Sequence, residues 1–368
     1  MSAMKYSIGI DLGTTNSALS YAPLDGSEEG SVVFPITQRD SVGTVAEHRT
    51  LASFLHRPLE SECTGEELEG WSVGAYARKM AGERPGTVSH SAKSWLGHHG
   101  VDRSEAILPW GSQELTAAEK LSPIRASSLL LRHLRKSWDA EFAAQGARFD
   151  DQKITITVPA SFDAVAQKLT LEAAALAGFP AEVQLLEEPQ AAFYRWLEAH
   201  PEEGALTGLL PGLCAGPQHV LVVDIGGGTS DFSLFEIALV ENGQAPKIKR
   251  VAVSDHILLG GDNVDLALAH LVEPRLVGEG GELTKRQWAY LVATCRDLKE
   301  RVLSEQFNEA EALPVTVPAA GSGLMAGVLS AELQREEILG LLLDGFFPEC
   351  EAGVRPVQAR TGLRELGL

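Results

Sequence analysis

Two short stretches carry residue types that could handle a phosphate: "YSIGIDLGTTNSALSYA" (6–22) and "LVVDIGGGTSDFSLFEI" (221–237). In each, an apolar run ends in an aspartate, glycines and hydroxyl residues come next, and an apolar alternation resumes. Superposed, Asp11 meets Asp224, Gly13 meets Gly226 and Ser17 meets Ser230. Glycine lets a chain turn sharply and brings backbone N–H groups close to an anion. Thr14, Thr15 and Thr229 add hydroxyl donors. Asp11 and Asp224 repel bare phosphate but suit Mg²⁺, directly or through its waters. A Walker loop needs GxxxxGK[ST] before a helix, and a Rossmann fingerprint needs GxGxxG opening one; both stretches fail both tests. The residues after Gly228 are strand-like, so each stretch reads as a β-hairpin tip. One such tip alone is most simply a plain hairpin. Two in register suggest opposed tips that clamp a polyphosphate.

The elements that must position these tips emerge from periodicity. Residues 5–12 alternate, with Tyr6, Ile8, Ile10 and Leu12 on one side, as in a strand ended by Gly13. "SALSYA" returns as a second strand. Residues 23–122 are less regular and read as a peripheral lobe. A helix is expected over 122–142, with Ser122 as cap and Pro123 first, then a strand "KITITVPA" (153–160). Another helix is expected over 161–179, its apolar face supplied by Val165, Leu169, Leu176 and the alanines. "AEVQLLEEP" (181–189) is a short strand and "QAAFYRWLEA" (190–199) a helix. Residues 200–219 hold Pro and Gly throughout and read as a linker or surface loop. "VLVVDI" (220–225) is apolar throughout, as for a central strand buried on both faces. "VAVSDHILL" leads into a Gly-Gly turn and a helix. Further helices are expected at 284–307 and over "SAELQREEILGLLLDGFFPECEAGV", with a small hairpin from "LPVTVP" and "MAGVLS". Two strand-turn-strand starts, about 210 residues apart, suggest two duplicated α/β lobes.

Composition bounds the function class. The chain has 368 residues, 44% hydrophobic and 22% charged, enough for two or three domains with a real core. Its net charge of −19 repels nucleic-acid phosphates and anionic membrane, so neither is an expected partner. Cys63, Cys214, Cys295 and Cys350 are far apart, which excludes a CxxC-type zinc site and fits a reducing, cytoplasmic setting. The N-terminal residues are not a signal peptide, and no run approaches the roughly 18 apolar residues of a membrane span. His98 and His99 have no partner at metal spacing and read as loop residues.

"IGIDLGTTNS" and "VVDIGGGTSD" resemble the two phosphate loops of the actin-like ATPases. With "ITVPASFDAVAQKLTLEAAALAGF", "LLEEPQAAFY" and "ILLGGDNVD", the chain more narrowly resembles the nucleotide-binding domain of the 70-kDa heat-shock protein (DnaK-type) chaperones. The resemblance covers most of 5–340 and is weakest over 23–122. It implies an α/β, actin-like (ribonuclease H-like) fold, with two duplicated lobes and a nucleotide cleft between them. Lobe I would span 1–200, with a peripheral insertion at about 40–121. Lobe II would span 201–368, with a peripheral helical subdomain at about 255–330. It further implies ATP or ADP with Mg²⁺, K⁺ as a further ion, and γ-phosphoryl transfer to water.

Residue by residue, the resemblance implies that Asp11 and Asp224 orient the hydrated metal ion. Gly13, Thr14, Thr15 and Asn16 would contact phosphate, as would Gly226, Gly227, Gly228 and Thr229. Asp231 and Glu188 would stand near the metal and the attacking water. Lys93, in "SAKSWLG", aligns with the family's catalytic lysine. Gly260 and Gly261 open a helix whose N-terminus could face phosphate or ribose; a plain helix entry capped by Asp262 is the alternative. Arg301 and Ser304, three apart on one helix face, would meet the purine and ribose.

The departures are specific. Glu187 replaces the family's usual Asn, and Glu300 stands where the family often has Lys, beside Lys299. The chain ends in "TGLRELGL" before the family's adenosine-holding Gly-Gly-x-Thr-Arg-x-Pro turn, its linker and its peptide-binding domain. It therefore reads as a C-terminally incomplete piece whose partners would include that domain and co-chaperones. Two alternatives stay open: a nucleotide-binding regulatory protein that barely hydrolyses, and a small-metabolite kinase or filament former.

Overall fold

The computed structural model describes residues 4–354, apart from 27–29, 99, 201–207, 209, 211–212, 214–215, 240–246, 255–256, 279, 306, 309–311 and 320–326. The expected loop over 200–219 and the C-terminal "TGLRELGL" therefore lie largely or wholly outside the described residues.

The chain opens as expected, with β1 (Tyr6–Asp11) turning into β2 (Asn16–Pro23). Ile8, Ile10 and Leu12 are fully buried, which is what the alternation requires. Short strands come next: β3 (Val32–Val33), β4 (Ile36–Ser41), β5 (Thr44–His48), β6 (Leu51–Ala52), β7 (Phe54–His56), β8 (Ser72–Val73) and β9 (Val88–His90). Helices α1 (Ala75–Glu83) and α2 (Ala92–Leu96) lie among them. The region with little regularity in sequence is thus built mostly of very short strands, five of the seven having only two or three residues.

Then come α3 (Pro123–Phe142), β10 (Lys153–Val158), α4 (Ala164–Leu176), β11 (Val183–Glu187) and α5 (Glu188–Ala199). Ser122 caps α3 by accepting from the Arg125 amide, and Asp163 caps α4 by accepting from Ala166 at 2.7 Å. The sheet runs β11-β10-β1-β2-β3, with β6 also on β2; β10 joins β1 in parallel and β11 joins β10 in parallel. Its core is Ile8, Ile10, Ile154 and Ile156 packed against Leu130, Leu134 and Trp138 of α3. The expected face of α4 is met in part: its alanines are buried and Leu169 packs on the core. Val165 and Leu176 are exposed, while Ala166, Thr170, Ala173 and Ala174 are buried. Small residues let α4 approach α3 closely, so the buried stripe is mainly alanine, with Val165 and Leu176 left outside.

The second half opens with a meander, β12 (Gln218–Ile225), β13 (Ser230–Ala238) and β14 (Lys247–Val253), in that order. β12 is not the central strand its apolar run suggested. Among the described strands it is an edge, and Leu221, Val223 and Ile225 are exposed along one face. The other face packs on α5, with Phe193 stacked on Phe235 at 6.2 Å. Beyond the meander lie α6 (Gly261–Val277), α7 (Lys285–Val302), the hairpin β15 (Leu313–Pro318) with β16 (Val328–Leu333), and α8 (Arg335–Gly340). These share a core of Leu268, Val272, Leu291, Leu298, Val315 and Val317. The long C-terminal helix expected from Ser330 starts later, because 328–333 alternate as a strand. No described helix is long and apolar enough to cross a membrane.

Candidate functional site: two glycine tips and a buried lysine

The two tips meet. A Cβ placed on Gly227 would lie 1.8 Å from Oγ1 of Thr15, and one on Gly228 would lie 3.4 Å from the Thr14 methyl. At Gly227 only glycine permits this approach. Gly13 is equally constrained, since a Cβ there would meet the Asn16 carbonyl at 1.9 Å. Asn16 itself opens β2 and is exposed.

Both tips are anchored by their carbonyls. On the first, Ser53 donates its hydroxyl to Gly13 O at 2.8 Å and its amide to Thr15 O at 2.9 Å. On the second, Gly261 N–H reaches Gly226 O at 3.0 Å and Asp262 N–H reaches Gly227 O at 2.7 Å. Gly226 N–H closes the turn on Thr229 O at 2.8 Å. Among the described residues, the amides of Thr14, Thr15, Gly227 and Gly228 are left without an acceptor. Buried Oγ1 of Thr15 also has no partner. Unpaired polar groups in a buried place are costly, so the tips present donors that suit an anion.

Gly260 and Gly261 stand behind the second tip. The N-terminus of α6 faces the second tip's carbonyls, and the N–H groups of Gly261 and Asp262 are used there. Gly260 packs so closely that a Cβ would meet both Gly226 O and Gly227 O at 2.6 Å. The cap is Asn263, which accepts from Gly260 N at 2.8 Å; Asp262 pairs with Arg296 instead. Arg296 and Lys299 of α7 both reach the buried Asp265, and Lys299 also donates to Gly261 O at 2.7 Å.

Beside the tips, Lys93 of α2 forms an ion pair with Glu188 at the start of α5, both largely buried. Burial works against the charge on Lys93, but Glu188, then Asp11 and Asp224, outweigh it and raise the pKa. Burial raises the pKa of Glu188, with Asp11 and Asp224 adding to the effect and Lys93 opposing it. Asp224 is raised for the same reasons: burial first, opposed by Lys93, with Asp231 and Asp11 adding to it. Asp231 is buried opposite Asp224 on β13. Asp11 accepts from Thr157 at 3.0 Å, and Ser94 lies 3.2 Å from Thr14. Three carboxylates, those of Glu188, Asp11 and Asp224, thus act on one lysine, with Asp231 beside Asp224, and the surplus negative charge favours a cation. Among the described residues no three His, Cys, Asp or Glu side chains converge tightly enough to hold a bare ion.

Arg301 and Ser304 stand together at the exposed end of α7, and the serine hydroxyl bonds the Arg301 carbonyl at 2.8 Å. Ser53, Ser94, Thr157 and Arg250 are site residues that the sequence does not single out. Of these only Ser94 has a signal in sequence, its adjacency to Lys93. The two charge departures are both matched: Arg250 of β14 pairs with Glu187, and Arg78 of α1 pairs with Glu300.

Residues 72–363 match the family model described as "Hsp70 protein". The chaperone protein HscA of Enterobacter sp. (strain 638) is 28% identical over 328 residues, covering 86% of this chain and 44% of that protein. A chaperone protein HscA homolog of Acidithiobacillus ferrooxidans is 29% identical over 362 residues, covering 95% of this chain and 49% of that protein. Another, of Methylococcus capsulatus (strain Bath), is 28% identical over 377 residues, covering 99% and 50%. The chain spans about half the length of these relatives. It belongs to the Hsp70 protein family, and its fold is that family's actin-like ATPase fold.

Proposed function

We propose that this chain is the nucleotide-binding part of an Hsp70-type chaperone, which binds ATP with Mg²⁺ between its tips and hydrolyses it. One observation carries the reading: two glycine tips meet with free amides beside a buried lysine–glutamate pair and three aspartates. Residues 1–200 and 201–368 act as the two lobes. The free amides and the hydroxyls of Thr14, Thr15 and Thr229 hold phosphate oxygens. Asp11 and Asp224 orient the cation's waters, and Asp231 and Glu188 stand by them. When bound, Mg²⁺ neutralises charge on the phosphates. Lys93, kept protonated by its acidic neighbours, stabilises the charge that builds on the transferring phosphoryl group. Glu188 accepts from Lys93 and orients the attacking water. Arg301 and Ser304 meet the purine side. Co-chaperones and a peptide-binding region belong to the same reading, as the relatives' printed name of chaperone suggests; K⁺ and a cytoplasmic setting rest on the sequence resemblance and composition alone.

The departures at Glu187 and Glu300 favour a non-hydrolysing protein in sequence, but each has an arginine partner. The test is single-turnover ATP hydrolysis with Mg²⁺, beside calorimetric ATP binding, for the wild type, Asp224→Ala and Lys93→Ala. Hydrolysis is expected in the wild type and a loss of at least about 10²-fold in either variant. Binding without turnover would establish the regulatory reading instead. No binding at all would sink both.

A further inference from the structure

Glu187 and Glu188 are adjacent, yet they face different partners. Glu188 pairs with Lys93 of α2. Glu187, the last residue of β11, pairs with Arg250 of β14. β11 belongs to the first sheet, where Glu187 stands beside Val158 of β10; β14 belongs to the second. The ion pair therefore links the two sheets at the start of α5. Arg250 lies opposite Phe235 in register, on the sheet face against which α5 packs through Phe193. Both charged side chains are mostly covered, at 30% and 25% exposure. Solvent screening is thus reduced compared with a surface pair.

The local charge balance gives the pair its use. Lys93 already serves Glu188, Asp11 and Asp224. A fourth acid beside Glu188 would compete for that lysine and for a cation held by the aspartates. We propose that Arg250 is a positioning residue. It holds Glu187 away from Lys93; an unpaired Glu187 would draw the lysine off Glu188 and out of place. Because Arg250 sits on the second sheet, a shift of that sheet relative to the first bears on Glu187 and through it on the Lys93–Glu188 pair. The proposal rests on the nucleotide reading above.

The experiment compares the full chain with Arg250→Ala, Arg250→Lys, Glu187→Asn and the double variant Arg250→Ala/Glu187→Asn. ATP turnover, the Mg²⁺ dependence of ADP affinity by calorimetry, and melting temperature are measured for each. Arg250→Ala is expected to lower kcat by about 10- to 100-fold with little change in KM, as for a small misplacement of a catalytic group. It is also expected to shift the Mg²⁺ dependence of ADP binding, since Glu187 is then free to compete for the cation. Glu187→Asn alone is expected to turn over ATP, and the double variant to recover most of the loss. Arg250→Lys is expected to fall between.

If the double variant is no better than Arg250→Ala, Arg250 merely packs and the proposal is overturned. An Arg250→Ala chain with wild-type kcat and Mg²⁺ dependence overturns it too. Should Arg250→Ala fail to fold, the charge swap Glu187→Arg/Arg250→Glu decides, since a positioning pair works in either polarity; an inactive but folded swap counts against it. Absence of ADP and ATP binding in the wild type overturns the nucleotide reading itself, a distinct result.

Discussion

Replacing Gly260 by alanine tests how the second tip is held. Gly260 has an extended backbone, φ −162°, which alanine adopts without strain, so the effect is purely one of space. The new Cβ would stand 2.6 Å from both Gly226 O and Gly227 O, where ordinary contact begins at 3.4 Å. Both obstacles are backbone atoms and cannot rotate away. The start of α6 must retreat by roughly 0.8 Å, which stretches the hydrogen bonds from Gly261 and Asp262 beyond useful length. Overpacking costs about 1–3 kcal/mol and two weakened hydrogen bonds about 1 kcal/mol more. For a chain of this size, with an unfolding entropy of about 2.1 cal/mol/K per residue, a total of about 3 kcal/mol lowers Tm by roughly 4 °C. ATP affinity is expected to fall about 10- to 100-fold, or about 1.4–2.8 kcal/mol, because the freed carbonyls let the tip turn its amides.

Gly226→Ala is the control. Its Cβ would lie at an ordinary 3.4 Å from Thr229 O, so in the nucleotide-free chain a change within about 0.5 kcal/mol is expected. Differential scanning fluorimetry and calorimetry read both variants. If Gly260→Ala melts and binds ATP like the wild type, α6 does not hold the tip and the reasoning fails. A control that melts below Gly260→Ala would refute it equally.

The first half of the chain supplies two more expected outcomes. Trp138 is fully buried, lies against Tyr6, Tyr21, Phe34 and Phe142, and donates to Ala147 O at 2.9 Å; Trp138→Ala should cost about 3–5 kcal/mol in urea melts, and a loss under about 1 kcal/mol would contradict this. His56 is fully buried, and burial first, then Arg84, hold its pKa down at about 4 against the opposing pull of Glu62. Arg84 can only donate to Nε2, so the ring proton sits on Nδ1 and is shared with Thr87 at 3.1 Å. A histidine whose pKa is lowered in the folded state contributes stability that is present above its ordinary value of 6.5 and lost as the pH falls towards 4. About 2 kcal/mol should therefore disappear between roughly pH 7 and pH 5, and His56→Gln should flatten that part of the curve; an unchanged slope would place the titration elsewhere.

Much of this arrangement is legible in the sequence because it repeats a simple pattern. β1 and β10 alternate, Ser122 and Asp163 mark helix starts, and the Asp-Gly-hydroxyl order of the two tips is visible without coordinates. The misreadings share a cause. An apolar run records how greasy a segment is, not what lies beside it. The composition of β12 points to a central strand, yet sheet order makes it an edge among the described strands. Val165 and Leu176 of α4 are expected on its buried face beside the alanines, yet close helix packing keeps the alanines and leaves those two outside. The Lys93–Glu188 pair joins residues 95 positions apart, and only the family resemblance brings them together in sequence. Ser53 and Arg250 give no signal, because a single polar residue forms no period.

The repeated tip also acquires a physical explanation. A peptide unit points its carbonyl and its amide in opposite directions, so anchoring the carbonyls of a turn from behind leaves the amides to face forward. The chain does this twice by unrelated means. Ser53, from the short strands after β2, takes the carbonyls of Gly13 and Thr15; the N-terminus of α6 takes those of Gly226 and Gly227. The likeness between residues 6–22 and 221–237 therefore extends to what each tip presents, and stops at what supports it. That is why the tips are alike in sequence while their anchors are not. It also shows how the start of α6 bears on the second tip, whose carbonyls it holds from behind. Lys299 and Arg296, by gripping Asp265 and the Gly261 carbonyl from α7, make the second tip's orientation depend on the packing of α6 against α7.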